Sequence, residues 1–207
     1  MHHGGVDARH VAALRDILAA TPWVDRAEDL ARALRLTRDP GGLLLVGTPD
    51  DEPWHLAAHL DDESRYAGLP QLAPSLLRWN PPPDAPAHLR IGLDRLAETR
   101  RGETLFVVNS APEAPVSLLE RVDDARRSGA TILALDHGDP ELAHLAHDAV
   151  SLVPGSAPVT LEGMQHLVSN AAGRPETRRD GGLRARLSRF LDVVSGPRVL
   201  DHQDSAL

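Results

Sequence analysis

The stretch Gly102-Glu-Thr-Leu-Phe-Val-Val-Asn-Ser110, followed by Leu118-Leu-Glu-Arg-Val-Asp-Asp-Ala-Arg-Arg-Ser-Gly-Ala-Thr-Ile-Leu-Ala-Leu135, decides the fold. Thr104 to Val108 and Thr131 to Leu135 are short apolar runs without alternation, the pattern of strands covered on both faces. Between them, Pro115 to Ser128 carries apolar residues at helical spacing and stops before Gly129, a common helix-ending residue. A strand, a helix and a second strand in this order form a right-handed crossover unit of a parallel sheet.

The same alternation extends outward in both directions. Asp39-Pro40-Gly41-Gly42 breaks the chain before the apolar run Leu43 to Gly47, which reads as another buried strand. Pro53 is suited to the first position of a helix reaching about Tyr66, with Asp50, Asp51 and Glu52 beside its positive end. The spacing predicts a strand within Leu69 to Trp79, a surface loop over the four prolines of residues 80–86, and a helix over His88 to Arg100. Further on it predicts a short helix over Pro140 to His147, a strand over Val150 to Val153 and a long helix over Val159 to Ala172. Two helices, Val6 to Ala20 and Val24 to Leu36, come first. The expected architecture is therefore a three-layer α/β/α sandwich around a mostly parallel five-stranded sheet of flavodoxin type, preceded by two N-terminal helices. Residues 1–175 form one domain in this reading. Residues 176–207 are expected to be a flexible segment with a short amphipathic helix near 183–195 and a disordered tail.

Composition narrows the chemistry. The 207 residues suffice for one such domain, and aromatics at 3% leave the core to Leu, Ala and Val. A net charge of -8 argues against a nucleic-acid partner, which needs clustered positive charge. The chain has no cysteine and no lysine, so thiolate chemistry, disulfides, lysine Schiff bases and a P-loop lysine are excluded. No apolar window reaches the roughly 18 residues of a membrane span, and the N-terminus has no signal-peptide core, so a cytoplasmic location and no membrane partner are expected.

The segment Gly102 to Leu135 resembles the central strand, loop, helix and strand of the SIS (sugar isomerase) domain superfamily. There, a Gly-led turn enters a strand that ends in a Ser-bearing loop, followed by an "Ala-Arg-x-x-Gly-Ala" helix and a "Thr-Ile-Ala-Leu" strand. Leu43 to Gly47, Leu142 to Pro154 and Leu161 to Ala172 fall where such a domain has its first strand, its helix and edge strand, and its closing helix. The resemblance covers roughly residues 6–175. Within the superfamily, Ala58-His-Leu-Asp-Asp-Glu-Ser-Arg-Tyr-Ala-Gly68 is similar to the helix after strand one in the phosphoheptose isomerase-like subgroup.

The resemblance implies a phosphosugar-binding site, a homodimer or homotetramer, and catalysis through an enediol-type proton transfer handled by His59 or Glu63. In the subgroup, zinc is held by a His and a Glu four apart on the earlier helix and by a Gln and a His on the closing helix. His59 and Glu63 match the first half, and Glu162 approximates the Gln position. Asn170 stands where the closing His is expected, with His166 one turn earlier, so the candidate metal set is His59, Glu63, Glu162 and His166. The same residues also read as solvated helix pairs worth ~0.2 to 0.5 kcal/mol each. The candidate ligand-binding residues are Thr48, Asp50, Asp51, Asn109, Ser110 and His137, all near strand ends where ligands of open parallel sheets bind. Asp50 and Asp51 also read as charges complementing a helix dipole.

Two loops depart from the family pattern. SIS domains hold phosphate on glycine- and serine-rich loops, whereas here the corresponding segments are Gly47-Thr-Pro-Asp-Asp-Glu-Pro53 and Asn109-Ser-Ala-Pro-Glu-Ala-Pro115. Consecutive carboxylates repel a phosphate, and prolines remove amide donors. Three readings follow: a sugar-phosphate isomerase or binding protein, a divergent SIS-like protein with another small ligand and a metal, or a non-catalytic oligomeric or regulatory module.

Overall fold

The computed structural model describes residues 4–19 and 21–174, with side chains from residue 11 onward. The helix and tail expected within 176–207 lie outside the described residues. Helices α1 (Gly4–Leu18) and α2 (Pro22–Arg35) precede strand β1 (Leu43–Val46) and helix α3 (Trp54–Ala67). Strand β2 (Ser75–Leu77) follows, then β3 (Thr104–Val108), α4 (Val116–Arg127), β4 (Thr131–Asp136), α5 (Pro140–Leu145), β5 (Asp148–Ser151) and α6 (Leu161–Ala172).

All strand pairings are parallel, in the order β2-β1-β3-β4-β5. That is the doubly wound order of flavodoxin-type sheets, and it places a topological switch point between β1 and β3. Because side chains alternate across a strand, each apolar run feeds two cores. Leu43, Leu45, Phe106, Val108, Leu133 and Leu135 join buried residues of α1, α2, α3 and α6. Leu44, Val46, Leu105, Val107, Ile132 and Ala134 join those of α4 and α5 on the opposite face. The result is a three-layer α/β/α sandwich in which α3 and α6 share a layer.

Local chemistry sets the element ends that matter for the site. Gly68 closes α3 in the left-handed conformation (φ 66°), where a side chain is strained. The Thr160 hydroxyl caps α6 by accepting from the Gly163 amide at 3.0 Å. At the other end of α6, Arg35 of α2 donates to the carbonyls of Ala171 (2.6 Å) and Ala172 (3.2 Å), which have no partner inside the helix.

Three expectations change. The helix predicted over His88 to Arg100 is two short 3₁₀ turns, Ala87–Leu89 and Leu93–Glu98. Between them the chain extends β2: Arg78 donates to the Ile91 carbonyl at 2.8 Å and bridges to Gly92, which helical backbone forbids. The strand sought within 69–79 narrows to three residues. The last strand starts two residues earlier than predicted, because Asp148 pairs in register with Leu133.

Candidate functional site

Helices α3 and α6 run side by side in the same direction, so residues one turn apart on each form successive rungs. His55 faces Glu162, with Nδ1 3.6 Å from Oε1. One turn on, the His59 and His166 rings stack edge to face with centroids 4.7 Å apart. At the far end, Glu63 packs where a side chain at position 173 would stand, so Gly173 is the residue that admits it. Burial, and secondarily the neighbouring Asp62 charge, raises the Glu63 carboxyl above its ordinary range.

The first two rungs converge. His55 lies 5.1 Å from the His59 ring and 5.4 Å from the His166 ring, and each of the three offers a nitrogen within 4.8 Å of the others. The His59 Nε2 atom is shielded from solvent and has no hydrogen-bond partner. A buried polar atom left in that state costs about 1–3 kcal/mol, and a cation would satisfy it. Three imidazoles with one position left open is also a donor set that suits zinc at a reactive site. The residues therefore fit the metal that the sequence resemblance implies, with His55 in the trio. Glu63 is absent from it, and Glu162 stands beside His55.

His55 and Glu162 also line a crevice of about 640 Å³ over the carboxyl ends of the strands. Its wall includes Asp51 and Glu52 after β1, Val108 and Ser110 after β3, His137 after β4, the 152–160 segment after β5, and Gln165 of α6. The His137 Nδ1 atom sits 2.8 Å from the Leu152 carbonyl and so carries the ring proton, which leaves Nε2 as the acceptor of a neutral ring.

The remaining expected ligand residues do other work. Thr48 is 3% exposed, and its amide donates to the Asp51 carbonyl (3.1 Å) while the Asp51 amide returns a bond to Thr48 (3.3 Å). Asp50 is exposed and lines an adjoining, more open cavity of about 420 Å³ with Arg78, Trp79 and Asn80. Glu52 ties this loop to the sheet edge, accepting from Arg78 Nε (3.0 Å), the Trp79 amide (3.1 Å) and Trp54 Nε1 (3.1 Å). Asn109 is fully buried and stitches its own loop: Oδ1 accepts from the Ala111 amide at 3.1 Å, and Nδ2 reaches Asp139 at 3.4 Å. Asp139 in turn accepts from the amides of Ala114 (2.6 Å), Glu141 (2.9 Å) and Leu142 (3.1 Å).

Of the sequence-derived candidates, His59 and His166 meet each other, and Asp51, Ser110, His137 and Glu162 meet at the crevice. His55 and Gln165 were not among them. A signal for His55 was present, since it stands four residues before His59 on the same helical face.

Fold and crevice together define a parallel α/β domain with a crevice over the carboxyl ends of its strands. No family model matches the sequence, and no curated protein matches it. Among solved structures, it is similar to a candidate phosphosugar isomerase from Silicibacter pomeroyi DSS-3, at 16% identity and a TM-score of 0.48 over 89% of this chain and 53% of that one. A candidate sugar-binding protein from Salmonella typhimurium LT2 gives 17%, 0.48, 88% and 52%. Vibrio vulnificus NanR complexed with ManNAc-6P gives 14%, 0.48, 91% and 73%. This chain spans about half the length of the first two. Likenesses this distant say nothing about which residues act, or on what. No helix among the described residues is long and apolar enough to cross a membrane.

Proposed function

We propose that this chain is an SIS-like domain that binds a sugar-type small molecule in the crevice beside a divalent ion held by His55, His59 and His166. The observation that carries this reading is the convergence of three imidazoles from two helices, one of them on the wall of a crevice at the switch point of the sheet. The sugar class comes from the resemblance of Gly102 to Leu135 to SIS domains. A divalent ion bound there supplies Lewis-acid polarisation of a ligand oxygen.

The rest is the work of the protein's own groups. Glu162 faces the His55 ring from across the rung, its Oε1 3.6 Å from Nδ1. Ser110 offers a hydroxyl that both donates and accepts, and His137 is held by Leu152 with its Nε2 as acceptor. Proton transfer by His59 or Glu63 is not favoured by this arrangement, because neither lines the crevice and Glu63 lies two turns beyond His55. The function proposed is binding, with His137 as the residue placed to exchange a proton should chemistry follow.

The test is metal content. After chelation and reloading with one zinc equivalent, the full chain should retain close to one ion and melt at higher temperature, since a ligand that binds only the folded state stabilises it. The single variants His55→Ala, His59→Ala and His166→Ala should each lose that ion. Stoichiometric retention in all three variants, or no uptake by the folded wild type, overturns the metal assignment. A thermal-shift screen against sugars and sugar phosphates tests the ligand class separately, and no response to either group overturns it.

A further inference from the structure

We infer that the crevice selects an uncharged polyhydroxylated ligand, a free sugar, over the corresponding phosphate ester. This rests on the proposed function, since it takes the crevice as the ligand site, but it names a substrate class that the family resemblance does not.

A phosphate ester carries ≈ -1.5 to -2 charges at pH 7. It is held by unspent amide donors at loops and helix ends, by hydroxyls and by cationic side chains. The loops after β1, β3 and β4 have turned amides inward. Those of Thr48 and Asp51 pair across their own turn, at 3.1 and 3.3 Å. Those of Ala111 and Ala114 are taken by Asn109 and Asp139. The Gly138 amide is taken by Asp136 Oδ1 at 2.6 Å. Pro49, Pro53, Pro112 and Pro115 have none to give.

Charge points the same way. The described residues lining the crevice include three carboxylates, Asp51, Glu52 and Glu162, and no arginine. Lysine is absent from the whole chain. Glu52 is already neutralised by Arg78 at 3.0 Å. A divalent ion on the histidine trio offsets the charges of Asp51 and Glu162, leaving the loaded crevice close to neutral. Apart from the ion itself, no charged group on the wall attracts a dianion, and Asp51 repels one that approaches it.

What the wall does offer matches hydroxyl groups. Ser110 and the Gln165 amide each donate and accept, Asp51 accepts, and Trp54 and Val153 supply exposed apolar surface for the carbon face of a ring. The volume of about 640 Å³ lies within the range of small-molecule sites.

Isothermal titration calorimetry on the zinc-loaded full chain decides it. Free hexoses, N-acetylhexosamines and heptoses are each compared with their own phosphate ester. At least one free sugar should bind tenfold or more tightly than its ester. Asp51→Arg, which places a cation on the wall, should shift that ratio at least fivefold toward the ester. Ester binding as tight as or tighter than the free sugar in every responding pair overturns the inference and leaves the crevice reading intact. If no pair responds while zinc uptake is normal, the crevice reading falls and takes the inference with it. If zinc is not taken up yet the free sugar is still preferred, only the metal half of the proposed function is lost.

Discussion

The loop after β1 and the α3–α6 helix pair treat their polar groups in opposite ways. Between Gly47 and Trp54, the Thr48 and Asp51 amides bond within the loop, the Gly47 carbonyl accepts from Trp79 Nε1 at 2.9 Å, and the Glu52 carboxylate accepts three bonds. The Asn109–Asp139 stitch after β3 is built likewise. Between α3 and α6, by contrast, three imidazoles crowd together and His59 Nε2 is buried with no partner. Groups satisfied within the chain make a scaffold. A buried atom left unsatisfied, such as His59 Nε2, is what a ligand from outside would complete. Asp136 is the exception on the loop side, with Oδ1 engaged by Gly138 and Oδ2 buried without a partner.

The contrast can be broken most forcefully at Asp139. Asp139→Ala removes the acceptor for three amides, two of them in the first turn of the helix it caps, and should cost about 2–4 kcal/mol of stability in urea titrations. A loss under ~1 kcal/mol would mean that the stitch is not structural. Gly47→Ala comes next. Its methyl would meet the Asp51 carbonyl and stand 2.6 Å from Pro53 Cδ, so a loss of roughly 1–3 kcal/mol is expected by the same measurement.

His59→Leu should behave differently. Zinc affinity should fall tenfold or more in competition with a chelator, about 1.4 kcal/mol. The metal-free protein should melt within about 2 °C of the wild type, because an unsatisfied polar atom leaves along with the ring. A large loss of metal-free stability would place His59 with the scaffold.

The smallest effect concerns Glu63. Its raised pKa means that the native state holds the proton more tightly than the unfolded chain, so stability falls as pH rises through the interval from the ordinary carboxylate value to the raised one. Glu63→Gln should therefore melt slightly higher than wild type above that interval, by no more than about 2 °C, and equally below it. A gain that persists at pH 3 would assign the effect to packing.

Most of the architecture could be read from the chain, because buried parallel strands leave unbroken apolar runs and each crossover helix has its own period. The 88–100 segment escaped that logic. Leu89, Leu93 and Leu96 have helical spacing, but the unpaired edge of β2 claims the backbone at Ile91 and Gly92, a demand set by the sheet and invisible locally. The site was legible by halves. Spacing places His55, His59 and Glu63 on one face of α3, yet which of them meets α6 depends on the rung at which two distant helices align. Glu63 proved to lie opposite Gly173, and His55 opposite Glu162. The loops beside strand ends were also recognisable, although no local pattern reveals that Asn109 and Thr48 turn inward.

The alignment of α3 with α6 has a kinetic side. The two helices are separated by residues 68–160, and a slip of one turn would set His59 against Asn170 and dismantle the trio. Long-range contacts of this kind form slowly, because loop closure precedes any gain from them. A coloured ion such as cobalt, added during refolding, would therefore change its spectrum only when the layers of the sandwich have docked in register. The imidazole cluster would then serve as a clock for the last step of assembly, independent of anything the crevice binds.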